Sequence, residues 1–240
     1  TGSGKTTTLY GCLASINSID INICTVENPT EYSLPMVNQV QVNERAGLTF
    51  ATALRSLLRQ DPDVIMVGEI RDEETAHIAL EAAMTGHLVF STIHTNDAPS
   101  ALERLTQMGL PRFVVANTMK AVLAQRLARR LCPDCKKPVD ISPEEKAVFE
   151  ANNVKIPAGA KIFEAVGCEK CKSSGYRGRC GMHELLVLNE EIRAQLLKDP
   201  SAIQVKEIAM RNGMRTIGMD GLEKVLLGLT TVKEVLGGTG

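Results

Sequence analysis

Residues 2–7 read Gly-Ser-Gly-Lys-Thr-Thr, the closing half of the phosphate-loop pattern G-x-x-x-x-G-K-[ST]. Gly2 and Gly4 allow the backbone to curl until successive N–H groups face one anion. Ser3 and Thr7 complete the cradle around Lys5, whose ammonium can reach β- and γ-phosphates, and Thr6, whose hydroxyl can ligate Mg²⁺. An apolar-periodic helix opens near Lys5 and aims its positive end at the same place. The first glycine of the pattern would fall before Thr1, and the strand that should deliver the loop is absent. The sequence therefore reads as part of a longer protein. A chance Gly/Ser/Thr turn before a helix would give the same local pattern, so the loop needs partners.

Candidate partners stand at the ends of apolar runs. Glu27 follows Ile21–Val26, Glu69 follows Asp63–Gly68, and His94 follows Leu88–Thr92. Acids at the carboxyl ends of buried strands, downstream of a phosphate loop, suit metal and water handling in nucleotide hydrolysis. Arg55 and Arg59 lie four apart, so a helix would present both guanidinium forks on one side. Taken singly, each of these residues has a plainer reading: a solvated loop acid, a structural histidine, a charged helix face.

A second chemistry lies further on. Cys132 and Cys135 form one C-x-x-C pair, and Cys168 and Cys171 form another. Two such pairs make a tetrathiolate pattern, which leaves no coordination position open and so implies structural zinc. Between the pairs stand 32 residues, more than the usual ~15–20, and they contain a helix from Pro143 to Asn152 and a strand near Ile162. A redox dithiol is the rival. Cys12, Cys24 and Cys180 stand alone, and an odd total of seven suits a reducing compartment better than a disulfide framework.

The elements that must position these groups alternate. Helix 5–18 is followed by strand 21–26, strand 37–42, helix 50–59, strand 63–68, helix 72–85 and strand 88–92. A helix capped by Asp97 and a helix over 112–123 come next. This alternation predicts an α/β fold with a parallel sheet. Beyond the cysteine module, 183–188 reads as a returning strand. Helices near 190–198, 203–212, 220–227 and 227–236 follow, divided by Pro200, Gly213 and Gly228, with a frayed tail at 237–240. The expected domains are 1–131, a P-loop core; 132–179, the tetracysteine subdomain; and 180–240, the return strand and helical region.

Composition excludes little and supports a globular chain: 44% hydrophobic, 23% charged, net charge −1. A near-neutral chain without Trp, with three Tyr and five Phe, lacks the field and stacking surface of a nucleic-acid binder. The local basic run Arg126, Arg129, Arg130, Lys136 and Lys137 reads as a solvated rim beside the cysteines, although it keeps a RecA-like nucleic-acid translocase as the alternative.

Four stretches in this order name a family: ENPTEY at 27–32, LRSLLRQDPDVIMVGEIRD at 54–72, TGHLVFSTIHTNDA at 85–98 and AQRLARRLCPDC at 124–135. Together they resemble the secretion ATPases of type II secretion and type IV pilus assembly, over essentially the whole chain. The cysteine pairs resemble the zinc-bearing assembly and export branch; the retraction branch generally lacks them. The resemblance implies a RecA-like ATPase core using ATP, Mg²⁺ and Zn²⁺. In it Glu27 orients water, Glu69 is the Walker-B acid, His94 belongs to a histidine box begun by His87, and Arg55 and Arg59 reach a nucleotide. Asn28 stands where the family usually has Asp, one carboxylate fewer near the site. The implied machine is a homo-hexamer at the cytoplasmic face of the bacterial inner membrane. It binds a platform protein there, is peripheral to the membrane through its partners, makes no nucleic-acid contact, and drives pilin or pseudopilin polymerisation. A catalytically incomplete fragment of that motor is a further alternative.

Overall fold

The computed structural model describes residues 2–199 and 201–238, and these fall into two compact units. Among these residues, one unit comprises those of Lys5–Val122 with Leu186–Ala209; the other comprises residues 2–4, Leu123–Leu185 and residues 210–238.

The first unit is built on a four-stranded parallel sheet in the order β2-β1-β3-β4. Its strands are β1 (Ile23–Glu27), β2 (Val37–Gln41), β3 (Val64–Val67) and β4 (Leu88–Ser91). β1 pairs with both β2 and β3, Ile23 standing opposite Val37 on one side and Val64 on the other. Every residue of β1 and β3 is buried; β3 accordingly reads as an unbroken apolar run, whereas β1 is mostly apolar and buries Thr25 and Glu27 as well. Helix α1 (Lys5–Ile16) packs Tyr10 and Leu13 against Ile23, Val64 and Met66.

Parallel strands need crossovers; β1 reaches β2 through residues 28–36 without a helix, and helices supply the next two. α2 (Phe50–Leu57) joins β2 to β3, and α3 (Glu73–Met84) joins β3 to β4. Each begins at a residue whose side chain accepts from the first turn. Thr49 and Thr52 cap one another reciprocally, and Asp72 accepts from Thr75 N–H. α4 (Ala98–Gln107) starts at Asp97 as the sequence leads one to expect. α5 (Arg112–Thr118) then packs on α7 (Glu190–Lys198), where Arg193 donates to the carbonyls of Ala116 and Met119 at the end of α5. α8 is Ala202–Arg211.

In the second unit β5 (Ala121–Leu131) pairs with β8 (Tyr176–Val187), and β6 (Lys137–Val139) pairs antiparallel with β7 (Ile162–Glu164). Phe149 of α6 (Pro143–Ala151), Met182 of β8 and Leu222 of α9 (Ile217–Leu226) are fully buried in one cluster, joined by Val232 and Val235 of α10 (Val232–Gly238).

Three stretches differ from expectation. The helix predicted over 112–123 ends at Thr118, and Met119 is already extended. From Ala121 the chain is strand, because pairing with β8 overrides the helix-forming Ala, Leu, Gln and Arg of the segment. The glycine-punctuated run at 173–181 becomes strand from Tyr176, with Gly178 at φ +79°, so β8 begins seven residues earlier than the predicted start at His183. The tail expected to fray from 237 is helical through Gly238, the end of the last helix (Val232–Gly238); Thr1, Pro200, Thr239 and Gly240 lie outside the described residues, and with them the expected helix divider at 200 and the rest of that tail.

Asp97 makes a testable contribution. Burial alone would push its carboxyl up. The hydroxyl and N–H of Ser100 and the Lys206 ammonium outweigh that and hold it below the usual carboxylate range. A depressed folded value means the stabilisation is complete above the unfolded value, about 3.9, and is lost as pH falls through the folded one. Asp97→Ala should cost about 1 kcal/mol at pH 7 in urea denaturation, and its deficit should shrink below pH 4.

Candidate active site and cysteine cluster

Gly2 and Gly4 both sit at φ +86°, a left-handed backbone that only glycine adopts freely. The loop is pinned from one side: Gln125 Nε2 donates to the Ser3 carbonyl at 2.9 Å, and a Cβ on Gly4 would stand 2.6 Å from the same nitrogen. Lys5, Thr6 and Thr7 form the first turn of α1, which holds no acidic side chain. The end of the helix that favours anions therefore carries no competing carboxylate.

Glu27 closes β1 and is 2% exposed. Burying a carboxylate is tolerable only if its oxygens are hydrogen-bonded. Here Thr25 Oγ1 donates to Oε1 at 2.7 Å, Gln39 Nε2 donates to Oε1 at 3.0 Å, and the Tyr10 hydroxyl donates to Oε2. These three donors are all neutral. Gln39 also reaches the Tyr32 carbonyl at 3.2 Å and accepts from Leu34 N–H at 2.6 Å, tying the chain after β1 to β2.

Glu69 lies two residues beyond β3. Arg71 Nε approaches its Oε2 at 2.6 Å and His94 Nε2 approaches the same oxygen at 3.6 Å. The loops bearing them are stitched by Ile70 N–H to the Thr92 carbonyl at 2.9 Å and by Thr92 Oγ1 to the Gly68 carbonyl at 2.7 Å. Gly68 packs closely on β1: a Cβ there would stand 3.2 Å from the Val26 carbonyl, a tight contact with backbone. The fold thus brings Glu69 and His94 together. His87 is occupied elsewhere: its Nδ1 lies 2.8 Å from the Ala82 carbonyl and 3.1 Å from Thr85 Oγ1 at the end of α3.

The two arginines are placed in a different setting. Arg55 forms an ion pair with Glu74 of α3 at 2.8 Å, and Arg59 donates to the Arg55 carbonyl at 2.9 Å. Both line an open groove of about 810 Å³ between α2 and α3, with Glu73, His77 and Glu81 on its other side. Sequence reasoning missed the donors to Glu27 and the arginine beside Glu69. Thr25 was findable, because residues two apart on a strand share a face. Tyr10 and Gln39 come from other elements and carry no local signal.

The four cysteines converge. All four sulfurs lie within 4.8 Å of one another, with Cys132–Cys168 and Cys135–Cys171 at 3.9 Å and Cys168–Cys171 at 3.7 Å. A tetrahedron of sulfurs 2.3 Å from a central zinc has edges of about 3.8 Å, so the donor set fits that ion. Backbone N–H groups of Cys168 and Gly175 point at Cys171 Sγ at 3.1 and 3.2 Å, the outer-shell support thiolate ligands require. Burial pushes both Cys135 and Cys171 up. At Cys135 burial prevails, lifting it to about 12, whereas at Cys171 the two N–H groups and neighbouring thiols bring it down to about 6.

Comparison with known proteins places this geometry. A model of the family described as type II/IV secretion system protein matches residues 1–237. The chain belongs to that family. It is 52% identical over 239 residues to the type IV pilus assembly ATPase PilB of Thermus thermophilus, covering 100% of this chain and 27% of that protein. It is 48% identical over 236 residues to the type II secretion system ATPase E of Vibrio cholerae, covering 98% of this chain and 46% of that one. The solved structure of the pilus retraction motor PilT with bound ADP superposes with a TM-score of 0.70 at 29% identity, over 99% of this chain and 58% of that chain. The α/β fold with its parallel sheet is thus that of pilus motor ATPases. The chain spans between about a quarter and a half of the curated relatives it matches. No helix among the described residues is long and apolar enough to cross a membrane.

The Glu27 cage yields a stability test. Thr25→Val keeps the shape of a fully buried side chain and removes one donor. It should destabilise the protein by about 1–3 kcal/mol, read as a shift in the urea midpoint.

Proposed function

We propose that this chain is the ATP-hydrolysing part of a motor that powers type IV pilus assembly or type II secretion. The observation that carries the reading is the buried carboxylate of Glu27. It ends the strand at the centre of a parallel sheet, the edge at which such sheets bind ligands, in a chain whose relatives along its whole length are named ATPases. Lys5 and the backbone amides of residues 2–7 bind the phosphates, with Ser3 and Thr7 at the rim of the loop. Thr6 would ligate Mg²⁺, which would supply positive charge to neutralise the phosphates, and Glu69 would polarise a water of that ion. Glu27 orients the attacking water and takes its proton, and His94 fixes the Glu69 carboxylate. Arg55 and Arg59 leave Glu74 and their own helix to serve a nucleotide once the chain is assembled as a homo-hexamer. An arginine in that role contributes about 10³–10⁵ in rate.

The output of hydrolysis, on this reading, is force on an inner-membrane platform protein at the cytoplasmic face, which polymerises pilin or pseudopilin subunits. Cys132, Cys135, Cys168 and Cys171 hold a structural Zn²⁺, supported by three sulfur separations of 3.7–3.9 Å, close to the tetrahedral value, and by all four sulfurs lying within 4.8 Å of one another.

Lys5→Ala in the full-length protein should abolish ATP binding measured by calorimetry. Near-normal affinity in that variant removes the phosphate-loop assignment. Metal analysis should return one zinc per chain, and Cys168→Ser should lose it along with several degrees of thermal stability, since a structural zinc contributes folding free energy directly. Retention of a full equivalent of zinc by Cys168→Ser would refute the site.

A further inference from the structure

The cage around Glu27 distinguishes its two oxygens. A carboxylate offers about four lone-pair sites, two on each oxygen. On Oε1 both are taken, by Thr25 Oγ1 and Gln39 Nε2. On Oε2 one is taken, by the Tyr10 hydroxyl, which leaves one acceptor site on the whole group.

Tyr10 is itself held firmly. It is 1% exposed, its ring meets Tyr32 edge-on at 4.7 Å, and its oxygen accepts from Glu31 N–H and Gln39 Nε2, each at 3.3 Å. Gln39 shares its two amide hydrogens among this oxygen, Glu27 Oε1 and the Tyr32 carbonyl, and with Glu31 N–H also donating to the Tyr10 oxygen, the phenol's own proton points at Glu27. Burial, followed by the Glu27 bond, pushes the phenol up to about 12, so that proton stays in place across the working pH range. Tyr10 also stands five residues after Lys5 on the same helix. The turn that carries the lysine and the side chain that grips Glu27 are therefore one rigid piece.

We propose that Tyr10 is a positioning residue for ATP hydrolysis: its hydroxyl fixes Glu27 so that the remaining lone pair of Oε2, and no other, receives the proton of the attacking water. The proposal rests on Glu27 being the water-orienting acid. The proton passes from water to Oε2 as the water oxygen bonds the γ-phosphorus and the bond to the ADP oxygen breaks, and Tyr10 keeps its own proton throughout. Because one end of α1 meets phosphate and its middle holds the acid, the placement of Oε2 follows the helix that senses occupancy of the loop.

The test is a double-mutant cycle in the full-length assembled protein, with steady-state ATP hydrolysis as the readout. Tyr10→Phe keeps the ring and its packing and removes only the O–H. It should lower kcat about 10- to 100-fold, the scale on which small misplacements act, and leave KM for ATP within about twofold. In a Glu27→Gln background the same change should cost nothing further, since groups acting as one unit are non-additive. An unchanged kcat in Tyr10→Phe alongside a large loss in Glu27→Gln overturns the role of Tyr10 and spares that of Glu27. Equal losses from Tyr10→Phe in both backgrounds overturn it too, as mere structural damage. Wild-type turnover in Glu27→Gln would instead bring down the reading of Glu27 and this proposal with it. Should Tyr10→Phe misfold, 3-fluorotyrosine at position 10 decides. Its stronger donation to Oε2 should change kcat while leaving KM for ATP within about twofold, and an unchanged kcat counts against the role.

Discussion

A carboxylate removed from water and held by neutral donors is the constraint on which much of this structure turns. Glu27 must be buried if it is to act on one water in a dry site, and burial is tolerated only with its oxygens hydrogen-bonded. The donors come from three elements: Thr25 from β1 itself, Gln39 from β2 and Tyr10 from α1. Satisfying one side chain thus fixes the register of β1 against β2 and the seating of the helix that opens with Lys5. The same arrangement explains why Tyr10, a residue with a polar tip, belongs to the apolar cluster of Leu13, Ile23, Val64 and Met66.

The second constraint is independent and lies in the other unit. Four sulfurs at tetrahedral spacing organise a region with short strands. Around them Lys170 and Arg177 pair with Asp134, while Lys136 donates to the Gly228 carbonyl and lies over the Phe163 ring. Arg129 holds Glu234 while stacking on Tyr176. Two residues of the basic run that keeps a nucleic-acid contact in consideration are therefore engaged within the protein: Arg129 and Lys136 are held by an acid, a carbonyl and aromatic rings.

The parallel sheet was legible because its central strands are buried on both faces and so read as mostly apolar runs, with punctuation at Pro29, Gly68 and Gly86. The helix starts at Asp72 and Asp97 were legible because capping is local chemistry. β5 was not, since Gln125–Leu131 has helix-forming composition and becomes strand only through β8, some fifty residues away. The positions of Glu27, Glu69 and the cysteines followed from motif and spacing. The setting of Arg55 did not: its partner Glu74 sits across a helix pair, and no periodicity within α2 encodes that. Tyr10 and Gln39 were invisible for the same reason, as their function is defined by a third residue.

The interleaving of the two units along the chain has a consequence for biosynthesis. The first unit is made of Lys5–Val122 and, after a long excursion, Leu186–Ala209. The carbonyls that end α5 wait for Arg193, which leaves the ribosome only after the whole cysteine module has been made. At elongation rates of about 5–20 residues per second, the seventy-odd intervening residues represent several seconds. During that interval the nascent chain exposes the face of α5 that α7 later covers, and the cysteine module emerges before the unit that brackets it in sequence is complete.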